Sequence, residues 1–474
     1  MKKRLLLVMM LIVIVAILIH STLTVNANKA MSDSKNASYE MTETTKSFTT
    51  DYTSYKTDLG TTTYNGNTYK QRVHVFFQKQ TKNSKIVTWA VQSDAGKLSR
   101  VPVSAICANY ELLHPGWKVV GAINADQYTT GFGDNIGAKG KDYYYPQPYY
   151  SMIADGEGWF TMTGLPAMAQ NILGFLQDGS ENPLISGSSN IINGNIKFSG
   201  MYLYILDNNG NRLEKFQVNK FNESPRELET AVWSSHYNEK EEFPDMTISS
   251  LNNIYVVKRA ERAIANNSID YQYKDKNGYD AFFGKGIISE VTSKATFGYG
   301  AFAVETNDEY LRSKLAKGTR IIVQHELEGK FANVESAIGY HTIHRMNGVD
   351  IPSSGSYNTS KYTRSIVGRT SDGKIFLMAV DQTNYSGMNW EEIDACLKYY
   401  DVDEAYQMDG GGSTTAVIKE NDKFVVVNTP KDGAPRSILN ALLLVEKDET
   451  VETKIQKMIN RKNIYVKRVK KEDE

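Results

Sequence analysis

Short apolar segments separated by turn-forming residues recur along the chain and constrain its fold more than any other feature. In the C-terminal third, residues 365–368 and 375–380 flank the turn Ser371-Asp372-Gly373, and residues 414–419 and 423–427 flank Asn421-Asp422. Two apolar runs around such a turn are typical of a β-hairpin. Further strand-like segments lie at 73–77, 86–91, 119–124, 201–207, 253–257, 286–291, 319–323, 404–408 and 438–445. The pattern predicts sheets rich in antiparallel strands.

Helical patterns are fewer. Asn389 is placed as the N-cap of a helix that runs through Tyr400, with Trp390, Ile393 and Leu397 on one stripe. Two further helices are predicted at 101–113, before a Pro-Gly turn, and at 309–315. We therefore predict an α+β fold, in which mixed, antiparallel-rich sheets are built from hairpins and covered by packed helices.

The N-terminus has the pattern of an export signal. Lys2, Lys3 and Arg4 precede an unbroken apolar run over residues 5–19, and small or modest side chains end the segment at Val25-Asn26-Ala27. This order predicts a signal peptide over residues 1–27 and a secreted or cell-surface protein. The alternative is an uncleaved membrane anchor, although the apolar run is shorter than the roughly 20 residues that span a bilayer. Both alternatives place the later residues outside the cytoplasm.

The composition of residues 28–474 predicts three parts: a tether, a domain and a tail. Residues 28–60 are rich in Ser, Thr, Lys and Asn and predict a polar tether, and residues 447–474 predict a charged tail. The domain between them, 61–446, contains a charged segment at 223–244 that we expect to be exposed, and the segment 150–250 leaves an inserted unit open. The Tyr-rich segment 131–150 is either an irregular loop or a wall that stacks on sugar rings.

Charge and cysteine content exclude several classes of protein. The net charge is +0 over 474 residues, so no overall positive field favours nucleic acid as a partner. The 2 cysteines, Cys107 and Cys396, lie in apolar patterns and are predicted to be buried free thiols. The 7 histidines are scattered, with only His341 and His344 close together. The sequence therefore implies no cofactor and leaves a divalent metal undetermined.

Two strand ends carry carboxylates. The strand at 404–408 delivers Asp409 to Gly410-Gly411-Gly412-Ser413, where glycines allow the backbone to approach a ligand and turn N–H groups toward an anion. The strand at 119–124 ends in Asn124-Ala125-Asp126. Taken alone, the first segment is equally consistent with a tight hairpin turn capped by its Asp, and the second with an Asx turn.

Two arginines stand beside apolar strands in the same region. Arg364 immediately precedes the strand at 365–368, and Arg436 precedes the strand at 438–445. Such arginines commonly snorkel or form ion pairs. Together with two strand-end carboxylates, their planar forks of donors predict a site for an anionic, oxygen-rich substrate.

The region 364–445 resembles the phosphodiester glycosidase family. The resemblance depends on five segments: Arg364-Ser365-Ile366-Val367-Gly368, Asp372-Gly373-Lys374, Gly387-Met388-Asn389, Met408-Asp409-Gly410-Gly411-Gly412-Ser413 and Arg436-Ser437-Ile438-Leu439-Asn440-Ala441-Leu442. Upstream, residues 122–126 resemble the family's Asn-Gly-Asp strand end, with Ala125 in place of the usual Gly. Residues 337–339 resemble its Ala-Ile-Gly turn, followed by Tyr340 where a second Gly is common. The best match spans 337–446.

The resemblance implies a hydrolase that cleaves a sugar-1-phosphodiester at the anomeric carbon of a surface or extracellular glycan. It implies that Asp409 and Asp126 are catalytic, and that Asn124 and Asn440 bind sugar hydroxyls. It further implies a phosphate site formed by Arg364, Gly411, Gly412, Ser413 and Arg436. A clamp for phosphate charge and a carboxylate near an oxocarbenium-like carbon are what this reaction needs.

Two alternatives remain. A metal-dependent phosphodiesterase or phosphatase would use the same groups to break a P–O bond. A non-catalytic glycan-binding surface protein would keep the fold without the reaction. In all three cases the expected partner is a sugar-phosphate-linked glycan or a small glycoside phosphodiester. Contact with a membrane is expected only through an uncleaved N-terminal anchor.

Overall fold

The computed structural model describes residues 37–94, 97–128, 148, 150–160, 171–176, 191–194, 197–235, 245–266, 281–298, 300–332, 334–353 and 355–448. The predicted signal peptide at 1–27 lies outside the described residues, as do most of the Tyr-rich segment and all but the first two residues of the predicted tail. Among the described residues, no helix is long and apolar enough to cross a bilayer.

The described residues form five β-sheets. The eight-stranded sheet has the strand order β1-β2-β3-β25-β24-β26-β22-β23. Its strands are β1 (Ala37–Thr49), β2 (Thr53–Tyr64), β3 (Asn67–Gln78), β25 (Ile375–Val380), β24 (Arg364–Thr370), β26 (Val402–Gln407), β22 (Thr342–Met346) and β23 (Val349–Asp350). Every pair in it is antiparallel, as the hairpin pattern predicts.

A six-stranded sheet packs face to face on the eight-stranded sheet. Its order is β28-β27-β6-β29-β4-β5, with β28 (Lys423–Val426), β27 (Ala416–Glu420), β6 (Trp117–Asn124), β29 (Asn440–Lys447), β4 (Ser84–Asp94) and β5 (Lys97–Ser99). The two sheets approach so closely that a Cβ atom on Gly121 of β6 would overlap the ring of Phe76 on β3. One continuous apolar core fills the space between them, with Tyr55, Leu377 and Leu442 fully buried.

Three five-stranded sheets complete the fold. The first, in spatial order, contains β10 (Ile191–Gly194), β9 (Ile172–Phe175), β21 (Ser336–Gly339), β7 (Met152–Ala154) and β8 (Glu157–Phe160). The second contains β12 (Arg212–Val218), β11 (Lys197–Leu206), β20 (Arg320–Glu328), β17 (Ala281–Ile287) and β16 (Arg262–Asn266). The third contains β13 (Lys220–Phe221), β14 (Thr230–Ser234), β19 (Phe302–Thr306), β15 (Met246–Val257) and β18 (Glu290–Phe297), and its β13–β14 pair is parallel. The second and third sheets share an apolar core of their own.

Four short α-helices lie among the described residues: α1 (Val103–Leu113), α2 (Glu309–Lys314), α3 (Ser356–Thr359) and α4 (Trp390–Tyr399). Helix α4 covers the outer face of the eight-stranded sheet through Ile393, Cys396 and Leu397. Asn389 caps it as predicted, because its side chain accepts from the Glu392 N–H while the Glu392 side chain accepts from the Asn389 N–H. Cys107 and Cys396 are buried free thiols, again as predicted. The α+β fold with antiparallel-rich sheets is thus confirmed.

The predicted polar tether at 28–60 is wrong over residues 37–60, which form β1 and most of β2. Threonine and tyrosine favour strands even where average hydrophobicity is low. Along β2, buried and less buried positions alternate, and the buried Asp58 accepts hydrogen bonds from Tyr400 Oη at 2.7 Å and Thr44 Oγ1 at 2.5 Å. Hydrogen bonding within the sheet therefore offsets the polarity that suggested a tether.

The prediction of an exposed segment at 223–244 is also wrong in part. Residues 230–234 form β14, in which Thr230, Ala231 and Val232 are buried against neighbouring strands. The charged residues 236–244 lie outside the described residues. The five-residue strand was not predicted because its apolar run is short and lies between Glu-rich segments, so the local composition is polar.

Candidate functional site

The ends of β6 and β26 meet at one edge of the sandwich. The Asp409 N–H, just after β26, donates to the Ala125 carbonyl at 2.8 Å, just after β6. Asn124 Nδ2 donates to the Asp409 carbonyl at 2.7 Å. These contacts bring Asp126 and Asp409 close enough for the charge of Asp409 to raise the pKa of Asp126. Two carboxylates that are far apart in the sequence therefore share one site.

Asn124 holds this edge together. It is 1% exposed, and its Oδ1 accepts from Ser365 Oγ at 2.6 Å and from the Thr415 N–H at 3.1 Å. With the Nδ2 contact to Asp409, one amide joins the ends of β6 and β26 to the starts of β24 and β27. The amide oxygen is already occupied by two protein donors and Nδ2 gives one of its two N–H groups to Asp409, so the sugar contact predicted for Asn124 is limited to the second N–H.

Asp126 is a buried carboxyl with one oxygen occupied and one without a partner. It is 3% exposed, and its Oδ2 accepts from the Tyr150 N–H at 3.0 Å. Its Oδ1 is buried without a hydrogen-bond partner among the described residues. Burial raises the pKa of Asp126 well above its usual range, and the charge of the nearby Asp409 raises it further. The hydrogen bond from the Tyr150 N–H lowers this pKa but does not offset the effect of burial.

Asp126 packs directly against Gly339, at the end of β21, where a side chain would not fit. A Cβ atom at this position would overlap both Asp126 Oδ2 and the side chain of Tyr150. The Ala-Ile-Gly segment noted in the sequence thus lies directly against the site. The residue after it, Tyr340, is buried and packs edge-to-face on Tyr406 at a ring distance of 5.0 Å.

Asp409 is partly buried and has more polar neighbours than Asp126. Burial raises the pKa of Asp409, while hydrogen bonds from the Ser413 hydroxyl and the Gly410 N–H, the latter at 2.9 Å, and the charge of Arg436 oppose the rise. The two carboxyls therefore differ: the ionised form is stabilised at Asp409 by three polar groups, whereas Asp126 lies in the less polar environment.

Local geometry favours glycine at each of the three positions after Asp409. Side chains at Gly410 and Gly412 would overlap the Tyr357 hydroxyl and the Arg436 guanidinium, respectively, and Gly411 has φ of +61°. Residues 411–413 form a single 3₁₀ turn. The Gly411 N–H donates to the Thr363 carbonyl at 3.2 Å, and Thr363 Oγ1 donates back to the Gly411 carbonyl at 2.5 Å. A phosphate contact through the Gly411 N–H, as predicted, does not fit because that donor is occupied.

Arg436 lies over the glycine turn, as the sequence predicts. Its Nη1 donates to Ser413 Oγ at 3.4 Å, and its Nε and Nη2 donate to Asp432 Oδ2 at 3.1 and 2.6 Å. The side chain is 45% exposed. Ser413, in contrast, is 1% exposed and contacts both Arg436 and Asp409. This part of the site offers a solvent-accessible cation beside a buried hydroxyl.

Arg364 does not occupy the position expected for a phosphate ligand. It is 0% exposed, and its guanidinium donates to the carbonyls of Tyr357 at 2.8 Å, Ser360 at 2.9 Å and Met388 at 3.3 Å and to Gln407 Oε1 at 3.3 Å. Direct contact with phosphate is excluded in this conformation, since protein acceptors surround the charge. Arg364 instead fixes the segment around α3 beside the glycine turn.

Asn440 is available for a ligand in a way that Asn124 is not. It is 0% exposed, and neither its Oδ1 nor its Nδ2 has a hydrogen-bond partner among the described residues. Its main-chain carbonyl accepts from the Ala125 N–H at 3.2 Å, which places it next to the strand end that carries Asp126. An unpaired buried amide is costly and is commonly explained by function.

Sequence reasoning missed two tyrosines of the site. Tyr128 donates to the Ser437 carbonyl at 3.0 Å and interacts electrostatically with Asp409 and Arg436. Its position two residues after Asp126 was the available signal. Tyr357 has its hydroxyl against Gly410, and no local motif marks it.

A metal cluster is not evident in the part of the chain that the structure describes: no group of three or more His, Cys, Asp or Glu side chains is arranged to hold a metal ion there. His341 and His344, the one close pair in the sequence, both lie near Arg364, and His344 Nδ1 lies 3.3 Å from Asp394 Oδ1. Burial lowers the pKa of His344 to about 3, so this imidazole is neutral.

Comparison with known proteins shows a family similarity over the C-terminal part of the chain. A family model described as phosphodiester glycosidase matches residues 261–445, and no curated protein sequence matches the chain. Among solved structures, a hypothetical protein from Synechocystis is 14% identical with a TM-score of 0.44, over 86% of this chain and 64% of that protein. The zebrafish N-acetylglucosamine-1-phosphodiester alpha-N-acetylglucosaminidase catalytic domain, auto-inhibited by its pro-peptide, is 14% identical with a TM-score of 0.35, over 86% and 88% of the two chains. The chain thus spans less than two thirds of the Synechocystis protein. Residues 261–445, which carry most of the motifs singled out in the sequence, are thus similar to the phosphodiester glycosidase family.

Proposed function

We propose that this protein is an exported hydrolase that cleaves a sugar-1-phosphodiester at the anomeric carbon of a surface or extracellular glycan. The observation that carries the proposal is the pair Asp126 and Asp409: the two carboxyls follow neighbouring strand ends, the charge of Asp409 raises the pKa of Asp126, and their surroundings differ. Pairs of titratable groups pushed apart in pKa by their environments are the usual arrangement for acid and base roles. The similarity of residues 261–445 to the phosphodiester glycosidase family supports the same reaction class.

The surroundings of the two carboxyls suggest their roles. Asp126 is the more deeply buried of the two, and because burial raises its pKa it holds a proton to higher pH than an exposed carboxyl, which suits a proton donor. Asp409, whose ionised form is favoured by Ser413, the Gly410 N–H and Arg436, stabilises positive charge at the anomeric carbon or accepts a proton from water. The C1–O bond breaks, the electron pair leaves with the phosphate monoester, whose oxygen takes the Asp126 proton, and the hydroxyl of water is added to C1 while its other proton passes to Asp409.

The remaining groups divide between phosphate and sugar. Arg436, Ser413 and the Gly412 backbone offer charge and donors on one side of Asp409. Asn440, with both side-chain polar atoms unpaired among the described residues, offers a donor and an acceptor to a sugar hydroxyl. Arg364 and Asn124 contribute by holding the strand ends rather than by touching the substrate.

Export is part of the proposal and depends on the N-terminal pattern. Three basic residues, an apolar run and a small-residue site precede Asn28. A sugar-phosphate-linked glycan at the cell surface would then be the accessible substrate. The identity of the sugar and of its aglycone is left to the assay.

The function is tested by incubating the purified protein with a sugar-1-phosphodiester and measuring free sugar and phosphate monoester. Wild-type protein should release both, and Asp409→Asn should lower kcat by about 10²-fold or more. Asp207→Asn is the matched control, because Asp207 also caps a turn, accepting from the N–H groups of Asn209 and Asn211 at 2.8 Å, but lies between β11 and β12, in a different sheet from the strands that carry the site.

The outcomes separate the alternatives. Unchanged turnover by Asp409→Asn would reduce Asp409 to a turn cap and overturn the mechanism. Binding of the substrate without turnover would favour the glycan-binding alternative. Turnover that is lost with a chelator and restored by a divalent cation would favour the metal-dependent phosphodiesterase.

A further inference from the structure

Tyr357 is the least expected member of the site. It lies on α3, a single helical turn, and its hydroxyl is so close to the glycine turn that a Cβ atom on Gly410 would overlap it. Asp409 and Tyr357 also interact electrostatically. A neutral hydroxyl donor is thus held beside the carboxylate and the turn that are proposed to contact the phosphodiester.

Two neighbouring groups hold the Tyr357 ring. The Arg364 guanidinium lies 4.3 Å from the Tyr357 ring centroid and also binds the Tyr357 and Ser360 carbonyls. The Tyr362 ring stacks on Tyr357 at 5.1 Å with an interplanar angle of 23°, and the same guanidinium lies 5.5 Å from the Tyr362 centroid. One buried cation therefore contacts both rings of the stack.

This arrangement explains why a fully buried arginine stands at the start of β24. A buried guanidinium is expensive unless its donors are satisfied, and four acceptors satisfy this one. Three of the acceptors are carbonyls of segments that flank the site. Arg364 therefore serves as the anchor that holds α3, and with it the Tyr357 hydroxyl, against Gly410.

We propose that Tyr357 is a substrate-contacting hydrogen-bond donor to the departing phosphate, and that Arg364 is a positioning residue that acts through it. The inference rests on the proposed function and adds a residue that the family motifs do not include. Donors held in place beside developing negative charge lower an activation barrier because they need no reorganisation. Burial raises the pKa of Tyr357, so the hydroxyl keeps its proton at neutral pH.

The test is Tyr357→Phe, which removes the hydroxyl and keeps the ring, its stack on Tyr362 and both backbone contacts to Arg364. We expect kcat for a sugar-1-phosphodiester to fall by about 10²-fold with little change in KM or in thermal unfolding temperature. Tyr385→Phe is the matched control: Arg72 lies 4.7 Å from the Tyr385 centroid, but pairs with Asp381. This variant should keep wild-type kcat.

A second measurement makes the inference independent of turnover. Titration with inorganic phosphate should give a Kd that is about tenfold higher for Tyr357→Phe than for wild type or Tyr385→Phe, since hydrogen bonds to charged groups are the stronger ones. In a double-mutant cycle, Arg364→Lys should lower kcat far less in the Tyr357→Phe background than alone.

The possible results are distinct. Active wild-type protein with an unaffected Tyr357→Phe variant would overturn this inference and leave the proposed function standing. A wild-type protein that neither turns over a sugar-1-phosphodiester nor binds phosphate would overturn both. Phosphate binding that depends on Tyr357, in a protein without turnover, would support the donor role and refute the glycosidase proposal.

Discussion

Two buried asparagines of the site offer a matched pair for mutation. Asn124 and Asn440 are 1% and 0% exposed, and their strands, β6 and β29, are neighbours. They differ in hydrogen bonding. Asn124 makes three hydrogen bonds to Ser365, Thr415 and Asp409, whereas the Asn440 side chain makes none within the described residues. Replacing each by alanine therefore separates structural from ligand-binding polar groups.

The expected loss of unfolding free energy depends on how many buried polar groups lose their hydrogen-bond partner in each variant. Asn124→Ala leaves a hydroxyl, an N–H and a carbonyl buried without partners, and each such group costs about 1–3 kcal/mol. Even at the lower limit the loss is about 3 kcal/mol of unfolding free energy. Asn440→Ala removes two polar atoms that make no hydrogen bond to the described residues, so we expect the unfolding free energy to change by no more than about 1 kcal/mol.

The assay combines urea unfolding with steady-state kinetics. Asn124→Ala should lower the urea midpoint clearly and reduce kcat because Asp409 loses its anchor. Asn440→Ala should keep the midpoint near that of the wild type and raise KM for the sugar-1-phosphodiester. Equal destabilisation by both substitutions would refute the reasoning, since it would show that Asn440 is a structural residue like Asn124.

Three further predictions address the carboxyl, the anchor and the export signal. Because burial raises the pKa of Asp126, the folded state holds its proton to higher pH than the unfolded state, and stability is lost as pH rises above about 4, by at most about 1.4 kcal/mol per unit. Asp126→Asn should therefore melt at a higher temperature than wild type at pH 7 but not at pH 3.5, while losing turnover; a variant less stable than wild type at both pH values would contradict this. Arg364→Lys should lower the unfolding free energy by about 2 kcal/mol or more, because one ammonium cannot reach four acceptors, and a wild-type urea midpoint would argue against the anchor role. N-terminal sequencing of the protein recovered from culture medium or cell surface should begin near Asn28, whereas recovery of Met1 in a membrane fraction would indicate an anchor.

The sequence predicted the local elements well where period and turn chemistry agreed. The hairpin around Ser371-Asp372-Gly373 is β24–β25, and the capped helix after Asn389 is α4. The prediction of a polar tether was wrong over residues 37–60, because the strands there are stabilised by long-range pairing with β3 and by hydrogen bonds such as that from Tyr400 to Asp58. No local composition encodes such partners.

The site was predicted more by chemistry than by geometry. Asp126 and Asp409 do meet, and Arg436 and Ser413 do lie beside them. What the sequence did not indicate is which polar groups are already occupied by protein partners. Arg364 and Asn124 carry the residue types of ligand-binding groups, yet both are buried in contacts among strand ends that become neighbours only on folding. The Asn124 amide and the Arg364 guanidinium therefore stabilise the arrangement of the site residues whose polar atoms have no protein partner.

The most direct test of the account is the fate of oxygen when a sugar-1-phosphodiester is hydrolysed in ¹⁸O-labelled water. Mass spectrometry of both products locates the bond that breaks. The account predicts label on the sugar, because water is added to the anomeric carbon after Asp126 and Asp409 assist departure of the phosphate. Label on the phosphate would mean that the P–O bond breaks and that the phosphodiester glycosidase mechanism is wrong for this protein.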